Sequence, residues 1–125
     1  MFQVHDIVTD KVKEEYDLIL SRHTIEHLKT RDVQSILRNF ASSGSKYLLA
    51  TNYPYLDVRY FTKEVHYLLS FFQENTELDE TTQMRMRGLN LFLNPYQLPL
   101  PICQHWDAMG PDIIMLWDLR TLTLP

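Results

Sequence analysis

The chain has 125 residues, of which 45% are hydrophobic and 22% charged, and its formal net charge is −4. This length and composition predict one globular domain with a single core and exclude a disordered chain. The negative charge excludes a general electrostatic affinity for nucleic acid or anionic membranes, and the single cysteine, Cys103, excludes both a disulfide framework and a cysteine-based zinc cluster.

The chain opens with a weak strand pattern, because Phe2 and Val4 alternate with polar residues. The continuous apolar run over residues 18–20 is typical of a strand that is covered on both faces in a parallel sheet. A short helical turn is expected to follow over residues 24–28.

The next helix is the clearest element of the sequence. Thr30 can cap its start. Its apolar residues recur at helical spacing: Val33, Ile36, Leu37, Phe40 and Ala41. Gly44 is placed to end the helix in the left-handed conformation, and residues 46–52 resume as a strand. Strand, helix and strand in this order predict a βαβ unit with a parallel pair.

The second half predicts an insertion followed by a hairpin. Residues 61–72 have a helical apolar stripe, and the acidic residues after them indicate an exposed loop. Leu89, Leu91 and Leu93 alternate, and the prolines of residues 95–101 require an extended chain. Residues 102–106 and 113–117 then predict an antiparallel hairpin, which makes the sheet mixed.

The stretch over residues 16–28 is the candidate site. An apolar run there leads directly into Arg22, His23, Glu26 and His27, which places a guanidinium, two imidazoles and a carboxylate within six residues. Histidine is the side chain best suited to proton transfer near neutral pH. We therefore take this stretch as the floor of a functional site.

Several segments together resemble the C-terminal two thirds of a class I S-adenosylmethionine-dependent methyltransferase. They are D-I-V-T-D at residues 6–10, D-L-I-L-S-R-H-x-x-x-H-L at residues 17–28, and Y-L-L-A-T-N-Y-P at residues 47–54. R-G-L-N-L at residues 87–91, P-Y-Q-L-P-L-P at residues 95–101 and I-M-L-W-D-L at residues 114–119 complete the similarity. Residues 56–86 lie outside it.

The resemblance implies an α/β, truncated Rossmann-like methyltransferase fold, with a mixed sheet and a C-terminal antiparallel hairpin. The chain is then a single partial domain over residues 1–125, with an inserted helix and loop at about 56–86. In the family strand order, 3-2-1-4-5-7-6, the strands four, five, seven and six remain contiguous. Strand four would present an apolar edge open to self-association.

By the same resemblance, the cofactor would be S-adenosylmethionine, with Asp6 and Ile7 beside its adenine. Ser21, Arg22 and His23 would line its methionine and methyl end, and His23 or His27 would be the catalytic base. The acceptor site would contain these residues: Arg87, Asn90 and Tyr96. The acceptor would be a small molecule or a protein, because the family signature for nucleic-acid amines is absent.

The sequence departs from the family in its glycines. Only Gly44, Gly88 and Gly110 are present, each isolated, so no glycine-rich cofactor loop exists in the chain. We therefore expect this short chain to be inactive and to bind the cofactor weakly or not at all. No apolar run approaches the ~20 residues that span a bilayer, and a cytoplasmic location is expected.

Simpler interpretations of the same residues stay open. Asp6 can close a turn, Arg22 and Glu26 can form a surface ion pair, and His27 can be structural. Tyr96 and Trp106 are typical core residues. Residues 23–27 also match H-x-x-E-H, an inverted zinc-peptidase motif. A third alternative is a non-catalytic binding module that associates through its exposed sheet edge.

Overall fold

The computed structural model describes residues 2–53, 75, 77–78, 88–106 and 113–124. Its sheet contains four strands: β1 (Leu18–Ser21), β2 (Tyr47–Asn52), β3 (Cys103–Trp106) and β4 (Ile113–Asp118). The strand order is β1-β2-β4-β3. β1 and β2 are parallel, and β4 is antiparallel to both β2 and β3. The predicted parallel pair and antiparallel hairpin are confirmed, and the turn of the hairpin lies outside the described residues.

Helix α1 (Thr30–Ser42) connects β1 to β2, as the helical spacing predicts. Its buried side chains are Val33, Ile36, Leu37 and Phe40. The predicted cap is displaced by one residue, because Lys29 occupies the N-cap position and Thr30 is the first helical residue. A short 3-10 turn over Ile25–His27 precedes the helix and confirms the helical turn expected there.

The core lies between α1 and one face of the sheet. Leu48 and Ala50 of β2 are opposite Trp117 and Met115 of β4 in the register. All four side chains are almost fully buried and belong to the same core cluster as the apolar side chains of α1. On the other face, Leu49, Ile114 and Leu116 are only half-buried. The helix therefore covers one side of the sheet.

Gly44 ends the helix as predicted, with a φ of +80°. An added Cβ would lie 2.8 Å from Oε1 of Glu15, and the left-handed backbone disfavours any side chain. We expect Gly44→Ala to lower the free energy of unfolding by about 1 kcal/mol, measured by chemical denaturation. Gly88→Ala is the matched control, because its Cβ would meet Tyr53 at an ordinary 3.5 Å. Equal losses in the two variants would contradict this reasoning.

Three sequence predictions are wrong. Residues 2–6 form no strand, and the chain turns directly after them over residues 6–10, where the Asp10 N–H donates to the Asp6 carbonyl at 2.8 Å. β1 is not covered on both faces, since Leu18 and Leu20 are 49% and 61% exposed. Trp106 is not a core residue, because it lies on the edge strand β3 and is 41% exposed.

The alternating leucines over residues 89–93 are all buried and form a turn-rich loop instead of a strand. Two side chains supply the partners that a neighbouring strand would supply: Asn52 Oδ1 accepts from the Leu91 N–H at 2.6 Å, and Asn90 Oδ1 accepts from the Phe92 N–H at 3.0 Å. The extended course after Pro95 begins only past Gln97, whose φ is +51°.

The predicted helix over residues 61–72 and most of the acidic loop lie outside the described residues. Among the residues that are described, the helices are too short and too polar to cross a membrane.

Candidate functional site

The candidate site lies where β1 and β2 end side by side. Ser21, the last residue of β1, is in register with Ala50. Beyond it, the backbone N–H of His23 donates to Thr51 Oγ1 at 3.0 Å, so the chain leaving β1 is held against β2. Because parallel strands bring their carboxyl ends to one edge, residues 30 positions apart in the chain meet here.

Three side chains form a connected cluster at this edge, the His23 cluster: His23, Glu26 and Tyr53. His23 Nδ1 lies 3.0 Å from the Tyr53 hydroxyl and 3.4 Å from Glu26 Oε1. The Tyr53 hydroxyl donates to the same carboxylate oxygen at 3.2 Å. Glu26 is only 1% exposed, whereas the imidazole of His23 is 39% exposed. A buried carboxylate thus anchors a histidine that solvent can reach.

The backbone of His23 is unusual, since its φ is +51°. A left-handed conformation at a non-glycine residue is uncommon, and it persists only where the surroundings fix it. Here the Thr51 hydroxyl holds the N–H and the Tyr53 hydroxyl contacts the ring. The structure therefore fixes both the position and the orientation of this imidazole.

The cluster has the composition of a proton-transfer site. A carboxylate beside Nδ1 orients an imidazole and stabilises its protonated form. The remaining step, contact with a reacting group, requires exposure, which His23 has and Glu26 lacks. His27 lies in the 3-10 turn and is exposed, but it is not joined to this cluster by the contacts described above.

The predicted cofactor residues fall into two groups that the structure does not bring together. Ser21 and Arg22 lie at the carboxyl end of β1. The loop containing Asp6 and Ile7 is tied to α1 by Asn39, whose Nδ2 donates to the Ile7 carbonyl at 2.9 Å. Asn39 is about 13 Å along the helix axis from the start of α1, toward the other end of the strands. The two groups therefore line opposite ends of the sheet.

Asp6 closes a turn, which is the simpler of its two interpretations. The Val8 N–H donates to its carboxylate at 3.0 Å, and this bond holds the pKa of Asp6 below its ordinary value. Ser21 is 6% exposed, and its hydroxyl has no hydrogen-bond partner among the described residues.

Two of the three predicted acceptor residues, Asn90 and Tyr96, lie in the described part of the chain, and both are buried. Asn90 is 5% exposed and bridges the Phe92 amide and Asn52 Nδ2, and Tyr96 is 1% exposed within the core. Arg87 lies outside the described residues. The core interpretation of Tyr96 is confirmed, and a role in acceptor binding for these residues stays a prediction.

The zinc-peptidase interpretation requires both histidines on one helix. His23 instead precedes the 3-10 turn and has a left-handed backbone, while His27 ends that turn. Across the described ranges, no group of three histidine, cysteine or acidic residues is placed to hold a metal ion. The interpretation of Arg22 and Glu26 as an ion pair on the surface is wrong about Glu26, because that side chain is buried.

Sequence reasoning missed Thr51 and Tyr53, which hold His23 in place. The available signal was their position at and just after the end of the second parallel strand. Comparison with protein-family models, with characterised proteins and with solved structures finds no significant match.

Proposed function

We propose that this chain is a class I S-adenosylmethionine-dependent methyltransferase-like domain, with the carboxyl ends of β1 and β2 forming one wall of its cleft. The observation that carries the proposal is the order and sense of the strands. In β1-β2-β4-β3, only β4 runs opposite to the others. This is the arrangement expected for strands four, five, seven and six of that family. Ligands of open α/β sheets bind at the carboxyl ends of the strands.

The residues at this edge fit part of the cofactor. Ser21 offers a buried hydroxyl with no protein partner among the described residues, and Arg22 offers an exposed guanidinium beside it. The exposed guanidinium suits the carboxylate of a methionine moiety. S-adenosylmethionine, when bound, would supply a methyl carbon activated by its sulfonium. The fit is partial, because the chain has only three isolated glycines.

The His23 cluster would serve the acceptor. His23 would accept a proton from the acceptor nucleophile, and Glu26, whose Oε1 lies 3.4 Å from Nδ1, would stabilise the imidazolium that results. Tyr53 holds the ring through Nδ1 and shares the same carboxylate. General-base assistance of this kind contributes about 10²–10⁴-fold to a rate.

The test is a titration of the isotope-labelled chain with S-adenosylhomocysteine to about 10 mM, followed by amide NMR shifts. We expect shifts at Ser21, Arg22 and His23 with a dissociation constant near 1 mM, which is about −4 kcal/mol. Amides of Gln104 and His105 on the far edge strand β3 should not move.

Arg22→Ala is expected to weaken this binding several-fold, because it removes the cation at the cleft. The matched control is Arg38→Ala, which removes an exposed arginine of α1 away from that edge. The proposal is contradicted if the amides of residues 21–23 stay unmoved at the highest concentration, or if the two arginine variants bind alike.

A further inference from the structure

The outer edge of β1 is an apolar surface built like an interface. Leu18 and Leu20 lie on the same face of the sheet and are 49% and 61% exposed. Within the described residues, β1 pairs only with β2. The strand, L-I-L-S, contains no proline and no charge that would block a further strand. An edge of this kind is a template for strand pairing.

The backbone at this edge offers two complete sets of hydrogen-bonding groups. The Tyr47 N–H donates to the Asp17 carbonyl at 3.2 Å, and Leu18 is in register with Tyr47. A parallel ladder then uses the groups of alternate residues, namely Asp17, Ile19 and Ser21. The N–H and C=O groups of Leu18 and Leu20 consequently point away from β2.

We propose that the partner at this edge is a second copy of the same chain, paired antiparallel with β1 about a two-fold axis. With the axis at Ile19, Leu18 of each copy faces Leu20 of the other, and the outward groups of both strands are satisfied by four hydrogen bonds. The arrangement is isologous and closes on itself. It extends the sheet from four strands to eight.

The charges on either side of β1 favour a second copy of the chain as the partner and favour antiparallel pairing. β1 is preceded by the exposed acids Glu14, Glu15 and Asp17 and followed by the exposed Arg22. In the antiparallel register Arg22 of one copy faces Tyr16 of the other, within reach of Glu14 on the diagonal. Parallel pairing would instead set the acids of both copies together. The charges around β1 are therefore complementary to those of a second copy that runs antiparallel to it.

A groove beside β1 extends the apolar surface beyond the four paired residues. It has a volume of about 810 Å³ and is lined by residues that include Phe2, Val12 and Leu18. Phe2, which lines this groove, is fully exposed. These side chains can bury additional area against the second copy, which four strand residues alone do not provide.

Sedimentation velocity of the full chain, from about 10 µM to about 1 mM without added ligand, tests the proposal. We expect a concentration-dependent shift from monomer to dimer. Leu20→Lys should abolish the dimer at every concentration, because it places a charge on the paired edge. Ile102→Lys is the matched control, since Ile102 is 56% exposed but precedes the opposite edge strand.

Two further measurements are specific to the register. Arg22→Glu should weaken the dimer at least tenfold, and adding Glu14→Arg to that variant should restore it. Hydrogen exchange at the Leu18 and Leu20 amides should slow at high protein concentration, while exchange at Ile19 should not change. A monomer throughout, an equal effect of the two lysine variants, or concentration-independent exchange would overturn the proposal. These results do not depend on S-adenosyl ligands and are separable from the proposed function.

Discussion

Trp117→Ala is expected to lower the free energy of unfolding by about 3–5 kcal/mol, a large share of the stability of a domain of this size. Trp117 is 1% exposed at the centre of the core, opposite Leu48 in the register. Its ring packs edge-on against Phe92 with centroids 6.4 Å apart, and its Nε1–H donates to the Pro99 carbonyl at 2.8 Å. Alanine would leave a cavity and an unsatisfied carbonyl together.

The matched control for Trp117 is Trp106→Ala, because both tryptophans lie on strands of the same hairpin. Trp106 is 41% exposed on β3, so its removal should cost less than about 1 kcal/mol. Chemical denaturation followed by far-ultraviolet circular dichroism measures both changes. If the two variants lose similar stability, the assignment of the core to the α1 side of the sheet is wrong.

Asn52→Ala is expected to lower the free energy of unfolding by about 1–3 kcal/mol, because it leaves the Leu91 N–H without its acceptor. Asn52 is 0% exposed, and its Oδ1 accepts from the Leu91 N–H at 2.6 Å. Its Nδ2 also lies 3.5 Å from both Asn90 Oδ1 and Met115 Sδ. Without this amide, the loop over residues 89–93 loses the partner that replaces a neighbouring strand.

Asn39→Ala is the matched control for Asn52→Ala. The Asn39 amide also bridges to a loop, donating to the Ile7 and Val8 carbonyls at 2.9 and 3.2 Å, but it is only half-buried. Water can replace it at those carbonyls, so the loss should stay below about 1 kcal/mol. Thermal and chemical denaturation of both variants measure the difference. Equal losses would show that burial does not decide the effect.

The elements with strong local patterns could be predicted from the sequence. The spacing of Val33, Ile36, Leu37 and Phe40 fixes α1 because a helix buries the residues on one side of its 3.6-residue turn. Gly44 marks the end of that helix because its φ of +80° disfavours other residues. The two weak patterns were wrong: the alternation at Phe2 and Val4 forms no strand, and the backbone amides of Leu91 and Phe92 donate to asparagine side chains instead of to a neighbouring strand.

The candidate site was located only in part by the sequence. His23 and Glu26 are close in the chain, and their position after an apolar run indicated a site. Tyr53 lies 30 residues away, and only the parallel pairing of β1 with β2 brings its hydroxyl to His23. Asp6 and Ile7 do not join Ser21 and Arg22 for a separate reason: Asn39 ties their loop to the later part of α1.

By itself, the sequence determined the α1 boundaries to within a residue, the order of strand, helix and strand, and the histidine-bearing stretch after β1. These depend on local periodicity and on backbone preferences of single residues, which act within a few positions. The tertiary structure decided that Glu26 is buried, that Tyr53 completes the His23 cluster and that Leu18 and Leu20 of β1 are exposed instead of covered. Those features depend on strand register and on the face that α1 covers, and neither is encoded in a local pattern.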